Sequence, residues 1–151
     1  DFLGDKDYVL IDAAAGVGNE VEAAVEASDE VLLVSKPELP ALTNALGAKK
    51  LAEELEREVI GLVLNEVRGE RSEVKNEDVQ DLIQERIIGE VPDHKHVREA
   101  IALRKPVVAH RPKSRVSHAI HDVAHIVKGN EPPKRGLSDK IRYKVEDLDI
   151  L

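Results

Sequence analysis

The sequence has no cysteine, methionine or tryptophan, and two tyrosines and one phenylalanine are its only aromatic residues. Without cysteine, the chain can form neither disulfides nor metal sites built on thiolates. A translated protein begins with methionine, so a chain that begins with Asp1 is expected to be a processed, cleaved or excised piece of a longer protein. No apolar run approaches the roughly 18 to 20 residues that span a membrane, and we expect a cytoplasmic protein.

Basic residues are in deficit as well. The chain has 22 lysines and arginines against 30 acidic residues, which gives a formal net charge of −8. Nucleic-acid binding needs a basic surface and often aromatic stacking platforms, so we expect no nucleic-acid partner. Aliphatic residues, in contrast, are abundant, and hydrophobic residues make up 42% of the 151 positions. A chain of this length can bury about two-thirds of the surface that its unfolded form exposes, which is enough for one domain.

Short apolar runs alternate with helical periodicity along most of the chain. The predicted strands are residues 8–11, 31–34, 59–64 and 87–91, with a further short extended segment at 106–109. The predicted helices are residues 19–27, 41–57, a short segment capped by Asn76, 95–103 and 114–128, with Asn19 as the cap of the first. This alternation predicts an α/β fold, in which a mostly parallel sheet is covered by helices on both faces.

Composition divides the chain into two parts. Residues 1–129 carry the alternating pattern and form the predicted α/β domain, whereas residues 130–151 are a charged, proline-containing tail. In this tail Ile141, Tyr143 and Val145 alternate with charged residues, as in an edge strand. We therefore expect the tail to be flexible or to pair with a partner.

Polar residues stand where several of the predicted strands end. Asp12 follows the first strand, Asn65 follows the third, and Pro92 and Asp93 follow the fourth. The carboxyl ends of parallel strands share one edge of a sheet, where α/β proteins bind ligands. Two simpler explanations stay open, since aspartate is common in turns and at helix starts, and an asparagine can merely terminate a strand.

Five segments carry a family resemblance by their order and spacing. They are DYVLIDAAAG, EVLLVSKPELPALTNA, VIGLVLNEVRGE, IIGEVPDHKHVREAIALRKPVV and PKSRVSHAIHDVAHIVKG, and together they cover about residues 6–129. In this arrangement they resemble the C-terminal two-thirds of a MinD/ParA-type P-loop ATPase. The resemblance implies a MinD-type sheet that is incomplete here, because this sequence contains no segment like the phosphate-loop strand of the family.

The resemblance implies roles for two residues after the first predicted strand. Asp12 matches the acid that supports the magnesium ion of bound ATP, usually through water, and Gly16 matches a switch glycine whose amide senses the terminal phosphate. A carboxylate suits a hydrated hard cation, and a glycine lets backbone approach a phosphate closely. The family usually has proline where this chain has Ala14, which makes the turn softer here.

The resemblance also implies a base pocket. Asn65, Pro92 and Asp93 match the loops that form the adenine pocket of the family. An asparagine amide can both donate to and accept from a purine edge, which gives the match a chemical reason. We assign no catalytic residue, because the acid that orients the attacking water in the family has no counterpart in this sequence.

The phosphate-binding loop of the family is rich in glycine and contains two lysines. The only Gly-x-Gly here is formed by Gly16 and Gly18, without a lysine nearby, so we expect ATP or ADP and magnesium to bind the intact protein and not this chain alone. In the family the phosphate-loop strand lies between the equivalents of strands 8–11 and 31–34. These two should then leave a gap of about 9 to 10 Å or pair directly. We expect the missing N-terminal half or a second copy of the chain to fill the gap.

The resemblance implies the switch and base-pocket part of an ATPase that positions the division site or partitions cell components, with ATP hydrolysis only if the N-terminal segment exists. It also implies a homodimer and a regulatory protein partner. The alternatives are a non-hydrolysing interaction module on the same fold and a flavodoxin-like ligand-binding domain. The tail ends in the acidic sequence VEDLDIL, which anionic lipid would repel, so we expect the intact protein to be at most peripheral to a membrane.

Two clusters of titratable residues have competing explanations. His118, His121 and His125, with Asp122 beside them, lie on one stripe of the last predicted helix, where they could bind a divalent metal or form a solvated polar face. We favour the polar face, because the sequence shows no residues that would hold such metal ligands in a fixed orientation. The pair 49–50, two lysines, is expected to be plain helix surface.

Overall fold

The computed structural model describes residues 6–147 and shows a sheet of three strands in the order β1-β2-β3. The strands are β1 (Glu30–Ser35), β2 (Glu58–Val67) and β3 (Ile87–Pro92). Both pairings are parallel, and a helix connects each strand to the next. The predicted α/β fold with a parallel sheet is therefore confirmed.

Helices account for most of the remaining described residues. They are α1 (Asn19–Glu26), α2 (Leu39–Glu54), α3 (Asn76–Ile83), α4 (Lys95–Ala102), α5 (Val107–His110), α6 (Arg115–Val127) and α7 (Leu137–Asp147). The two predicted caps are wrong by one position. Asn19 and Asn76 are the first helical residues, and Gly18 and Lys75 precede them without a side-chain cap.

The core lies on both faces of the sheet. Successive side chains of a strand point to opposite faces, so Leu62 and Leu64 of β2 pack towards α2 and α3 while Val63 packs towards α6. The buried residues on the first face are Leu33, Leu42, Ala45, Leu62, Leu64, Val79 and Ile83, and those on the second are Val63, Ile88, Val91 and Val116. Burial on both faces explains why these strands are almost continuously apolar.

A bulge in β2 depends on a glycine. The pairing between β1 and β2 passes from Val59 to Gly61, which has a φ of 143°, a conformation that side chains rarely adopt. A Cβ at Gly61 would lie 2.6 Å from Cγ2 of Ile88 and 2.9 Å from the carbonyl oxygen of Arg86. Glycine is thus required both by the backbone conformation and by the close approach of β3.

The segment 8–11 is not a strand, which corrects the first strand prediction. Residues 8–11 have no regular secondary structure, and Leu10 is 88% exposed. Direct pairing of this segment with β1, one of the two expected arrangements, is therefore wrong, and the gap of about 9 to 10 Å stays a prediction. Among the described residues β1 pairs with β2 alone, so one side of β1 is a free edge.

The segment 106–109 is helical rather than extended. Val107–His110 forms the single turn of α5, and Pro106 stands just before it. The buried hydroxyl of Ser117, in α6, lies 2.7 Å from the carbonyl oxygen of Arg111 at the end of this turn. Packing against α6 therefore overrides the preference of valine for strands.

The tail forms a helix, so the edge-strand prediction for Ile141, Tyr143 and Val145 is wrong. The tail contacts α6 through polar side chains: the Tyr143 hydroxyl and Nδ1 of His118 share a hydrogen bond, and Arg135 forms an ion pair with Asp122. The division at residue 129 stays a prediction, and residues 148–151 lie outside the described part of the chain. No helix within residues 6–147 is long and apolar enough to cross a bilayer.

Candidate functional site

The carboxyl edge of the sheet brings three of the five predicted site residues together. Val67 of β2 pairs with Pro92 of β3, and the amide of Asp93 donates to the carbonyl oxygen of Val67 at 3.0 Å. Asn65 lies two residues before Val67 and is half-buried. Asn65 is inside β2 rather than at its end, because β2 continues for two residues beyond it.

Two arginines hold the carboxylate of Asp93. Nε of Arg68, in the loop after β2, donates to Oδ2 at 3.0 Å, and Nη1 of Arg98, in α4, donates to Oδ1 at 2.9 Å. The hydrogen bond to Asp93, and after it the negative charge, raises the pKa of the Arg68 guanidinium above its usual value. Both carboxylate oxygens are thus engaged, and the loops after β2 and β3 are tied to each other at this edge.

A second ion pair joins β1 and β2 at the same edge. Nζ of Lys36, the residue after β1, lies 2.6 Å from Oε2 of Glu66. The hydrogen bond with Glu66, followed by its charge, raises the pKa of Lys36. Glu66 has a φ of 57°, a left-handed conformation that costs free energy in a residue other than glycine. Such conformations cluster at binding sites, where the surrounding structure holds them in place.

The loop after β2 folds around one carboxylate. Glu73 accepts hydrogen bonds from the amides of Arg68, Gly69 and Glu70, at 2.7, 2.8 and 3.2 Å. The amide of Val74 donates to the carbonyl oxygen of Pro37 at 2.9 Å, which fastens the loop to the residues after β1. The adjoining cleft is lined by Glu38, Glu66, Arg68, Glu70, Ser72 and Glu73. With four glutamates against one arginine, this cleft repels phosphate.

Asp12 and Gly16 lie apart from this edge cluster. Asp12 is exposed in a segment without regular structure, so no strand delivers it to the sheet. Gly16 has a φ of 105°, as a glycine turn requires. The side chain of Val17, which follows this turn, lies close to α2. A Cβ added at Gly47 of α2 would lie 2.9 Å from Cγ1 of Val17. The flavodoxin-like alternative loses its basis, since it needs a phosphate loop that directly follows a strand of the sheet.

Asp12 has the chemistry of a residue that contacts magnesium through a water molecule. Magnesium keeps several waters and takes one or two carboxylates together with phosphate oxygens. A single exposed carboxylate can contact such a hydrated ion through water, but it cannot hold the ion by itself. Asp12 therefore fits a Mg²⁺–nucleotide complex and does not form a metal site on its own.

The other two predicted clusters have different outcomes. His118 faces Tyr143 of α7 and Asp122 faces Arg135, which precedes α7, while His121 and His125 are exposed, so the tail covers half of this polar stripe. Lys49 contradicts the prediction of plain helix surface, because it is 8% exposed and its Nζ lies 3.2 Å from Glu53 and 3.3 Å from Glu85. Burial lowers the pKa of Lys49, but the hydrogen bonds to the two glutamates outweigh burial, and the pKa is raised.

The residues that sequence reasoning missed are Arg68 and Arg98. Both lie close in sequence to a predicted site residue, since Arg68 is three residues after Asn65 and Arg98 is five after Asp93. Arginines that follow two neighbouring strands were a usable signal, because Arg pairs well with a carboxylate at the shared edge.

Curated relatives of the chain are known, although no protein-family model matches the sequence. The chain is 34% identical over 125 residues to an uncharacterised ATP-binding protein of Methanocaldococcus jannaschii, a match that covers 83% of this chain and 48% of the relative. It is 30% identical over 141 residues to the septum site-determining protein MinD of Bacillus subtilis, with 89% and 52% covered. The chain spans about half the length of the curated relatives it matches.

Solved structures of MinD proteins are similar to this chain as well. The septum site-determining protein MinD of Pyrococcus horikoshii in complex with Mg-ADP superimposes with a TM-score of 0.76 at 25% identity, over 83% of this chain and 52% of that one. The MinC:MinD cell division complex of Aquifex aeolicus gives a TM-score of 0.78 at 27% identity, over 88% and 56%. Sequence and fold together identify the chain as a homologue of the MinD-type ATPases that corresponds to about half of their length.

Proposed function

We propose that this chain is the switch and base-pocket part, C-terminal in position, of a MinD-type ATPase that positions the division site or partitions cell components. The observation that carries the proposal is the edge cluster: Asn65 and Pro92 lie on two paired strands and Asp93 directly follows the second, in a homologue of ATP-binding proteins. The cofactors of the intact protein would be ATP or ADP with magnesium. This agrees with the P. horikoshii relative, which was solved with Mg-ADP.

In the proposed base pocket, the side-chain amide of Asn65 forms hydrogen bonds with the edge of a purine. Asn65 is half-buried, so its side chain is partly shielded from water and can favour a base that both donates and accepts. Asp93 contributes its position more than its charge, because Arg68 and Arg98 already engage its two oxygens. The two arginines would thus fix the backbone of the loop that lies against the base.

The proposed switch consists of Asp12 and Gly16. Both lie in a segment without regular structure, and residues 8–15 are exposed. We infer that this segment takes its active conformation only beside a phosphate-binding loop, which this sequence does not contain. Asp12 would then contact the magnesium shell, and the amide of Gly16 would face the terminal phosphate.

The free edge of β1 is the proposed docking place for the rest of the ATPase. Val34, on this strand, is 59% exposed, and Tyr8, Val9 and Ile11 each expose about half of their surface. An unpaired strand edge and exposed apolar residues are both features that favour the addition of another strand. We propose the missing N-terminal half as the occupant, with a second copy of the chain as the alternative, and a homodimer as the intact form.

A regulatory protein partner is part of the same proposal, since the A. aeolicus relative was solved with MinC.

A non-hydrolysing interaction module is the second candidate function. The free edge of β1 favours it, because such an edge binds a partner strand whether or not a nucleotide is present. We keep a cytoplasmic location, at most peripheral to a membrane, as part of the proposal.

The test is a calorimetric titration of Mg-ADP into two proteins. The first is this chain, and the second is the chain extended at its N-terminus by the corresponding segment of the M. jannaschii relative. We expect saturable binding by the extended protein and none by the chain alone, because phosphate binding needs a backbone cradle with a lysine. Magnesium-dependent ATP turnover should follow the same pattern.

The matched control is the same extended protein with the lysines of its phosphate loop replaced by alanine. If the control binds Mg-ADP as tightly as the extended protein, the site is elsewhere and the proposal fails. Turnover by the chain alone would also overturn it. Absence of nucleotide binding in a folded extended protein would favour the interaction module.

A further inference from the structure

A group of potential metal ligands lies outside the edge cluster. A ring nitrogen of His94, a ring nitrogen of His96 and a carboxylate oxygen of Glu146 all lie within 4.8 Å of one another. His94 and His96 stand at the start of α4, and Glu146 belongs to α7. Within residues 6–147 this is the one group of three or more His, Asp or Glu side chains that meets in this way. The group joins two neighbouring histidines to a glutamate that lies about 50 positions further along the sequence.

The buried member of the group lacks a partner. His96 is 7% exposed, and its Nδ1 is shielded from solvent without a hydrogen bond to any described residue. An unsatisfied polar atom in the interior destabilises the folded state, so native proteins usually provide such an atom with a partner. A metal ion bound to Nδ1 of His96 would supply the missing partner.

The other two members are held in position by the backbone. Nδ1 of His94 accepts a long hydrogen bond of 3.3 Å from the amide of His96, so Nδ1 is the ring nitrogen with the free lone pair, and a metal ion would bind there in place of the amide. Oε2 of Glu146 accepts from the amide of Arg115 at 3.2 Å. The two imidazole rings stand 4.4 Å apart between centroids. The contact with Arg115 restricts the orientation of the Glu146 carboxylate, as hydrogen bonds around a metal site usually do for its ligands.

We propose that His94, His96 and Glu146 bind one zinc ion, with water as the fourth ligand. Two imidazoles and one carboxylate form a ligand set that zinc commonly takes in an open tetrahedral site. Zinc–ligand bonds of about 2.0 to 2.2 Å require ligand atoms about 3.3 Å apart, so the three side chains close slightly around the ion. Magnesium is excluded from the site by chemistry, because it takes oxygen ligands in an octahedron.

The proposed ion fastens the tail to the edge of the sheet. His94 follows Asp93 directly, so a metal bridge from His94 to Glu146 connects α7 with the loop that Arg68 and Arg98 hold. Zinc is then a structural clamp for α7 rather than a part of nucleotide binding. The site uses a different ion and different residues from the magnesium role of Asp12, so it does not depend on the proposed function.

The test is a titration of the purified, metal-free chain with cobalt(II) chloride, followed by displacement with zinc chloride. We expect visible absorption typical of tetrahedral cobalt that saturates at one ion per chain and disappears on addition of zinc. His96→Asn and Glu146→Gln should each weaken the affinity by more than about tenfold, since loss of even an outer-shell partner has an effect of that size. Magnesium chloride should not compete.

The matched control is the double variant His121→Gln/His125→Gln, which removes the two exposed histidines of α6. If the control loses metal binding while His96→Asn and Glu146→Gln retain it, the site is on α6 and the proposal is overturned. The parent chain failing to bind cobalt or zinc overturns it as well. Glu146→Gln is the decisive variant if His96→Asn does not fold, because Glu146 is only half-buried.

Hydrogen exchange supplies the structural readout. Zinc should slow exchange of the amides of Leu137–Asp147 in the parent chain and leave them unchanged in Glu146→Gln. Equal slowing in both proteins would mean that zinc acts elsewhere, and the clamp would be refuted.

Discussion

Arg68 donates a hydrogen bond from Nε to Oδ2 of Asp93 at 3.0 Å, across the carboxyl ends of two neighbouring strands. Arg98 occupies the other oxygen of the same carboxylate at 2.9 Å. A carboxylate engaged on both sides is a poor free acceptor for a ligand and a good anchor for the backbone that carries it. The edge is therefore organised by contacts within the chain itself.

This arrangement predicts the effect of removing the anchor. In the N-terminally extended protein, Asp93→Ala should weaken Mg-ADP binding by about tenfold, which corresponds to about 1.4 kcal/mol, because the loop against the base loses its fixed position. The measurement is the dissociation constant from calorimetric titration. Asp81→Ala, on the exposed side of α3, is the control and should leave the constant unchanged. Equal dissociation constants for Asp93→Ala and the parent would show that Asp93 does not contribute to the binding of Mg-ADP.

The buried ammonium of Lys49 predicts a stability effect. Lys49→Glu places a third carboxylate between Glu53 and Glu85 at a buried position, and should lower the free energy of unfolding by about 2 kcal/mol or more. Lys50→Glu, one position along the same helix and exposed, should change it by less than about 0.5 kcal/mol. Urea unfolding followed by circular dichroism measures both. Similar losses in the two variants would mean that the ion pairs at Lys49 contribute nothing specific.

The approach of α6 to β3 predicts a steric effect at Gly89. A Cβ at Gly89 would collide with Cγ2 of Val123. Gly89→Ala should therefore cost about 1 to 3 kcal/mol of stability, as overpacking of a core usually does. Adding Val123→Ala should recover part of the loss, since it removes the colliding atom.

Gly136→Ala is the control for this experiment. A Cβ at Gly136 would meet only Oγ of Ser138, at 3.8 Å, so the substitution should change stability by less than about 0.5 kcal/mol. Thermal unfolding of the four proteins measures the series. If Val123→Ala destabilises the Gly89→Ala protein further, the collision is not the cause of the loss.

The three strands of the sheet were predictable because burial on both faces leaves a local signature in the sequence. Leu62, Val63 and Leu64 are all buried, and a run of this kind needs no knowledge of distant residues to be recognised. The placement of Asn65 and Asp93 on one edge then followed from the parallel order of the strands. The segment 8–11 has the same signature but no partner strand among the described residues, and local composition does not encode which neighbour supplies the hydrogen bonds.

The tail helix could not be predicted from hydrophobic periodicity, because its contacts are polar. Its half-buried positions include Asp139, Arg142, Tyr143 and Glu146, which follow helical spacing of three and four residues. The apolar residues suggested a period of two instead. For the same reason the cluster of His94, His96 and Glu146 escaped notice, since only the folded tail brings Glu146 to α4.

The contact between α6 and α7 predicts a pH dependence of stability. Burial, and after it the positive charge of Arg135, lowers the pKa of His118 below its ordinary value of 6.5. The other groups that face His118 are Arg142, Asp122, Asp139 and Tyr143. The unfolded chain therefore binds a proton at His118 at a higher pH than the folded chain does. The contribution of His118 is fully present above about pH 6.5 and is lost as the pH falls through the folded-state pKa.

His118→Gln should accordingly flatten the pH dependence of the unfolding free energy between about pH 7.5 and 5.5. The measurement is urea unfolding of parent and variant at several pH values in this window, above the range in which most carboxylates titrate. Comparison with the parent cancels the contributions of the other histidines. His121→Gln, on an exposed position of the same helix, should leave the slope of the parent unchanged. If His118→Gln keeps the full slope, the proton that destabilises the folded chain binds at another residue, and the hydrogen bond to Tyr143 does not depend on a neutral imidazole.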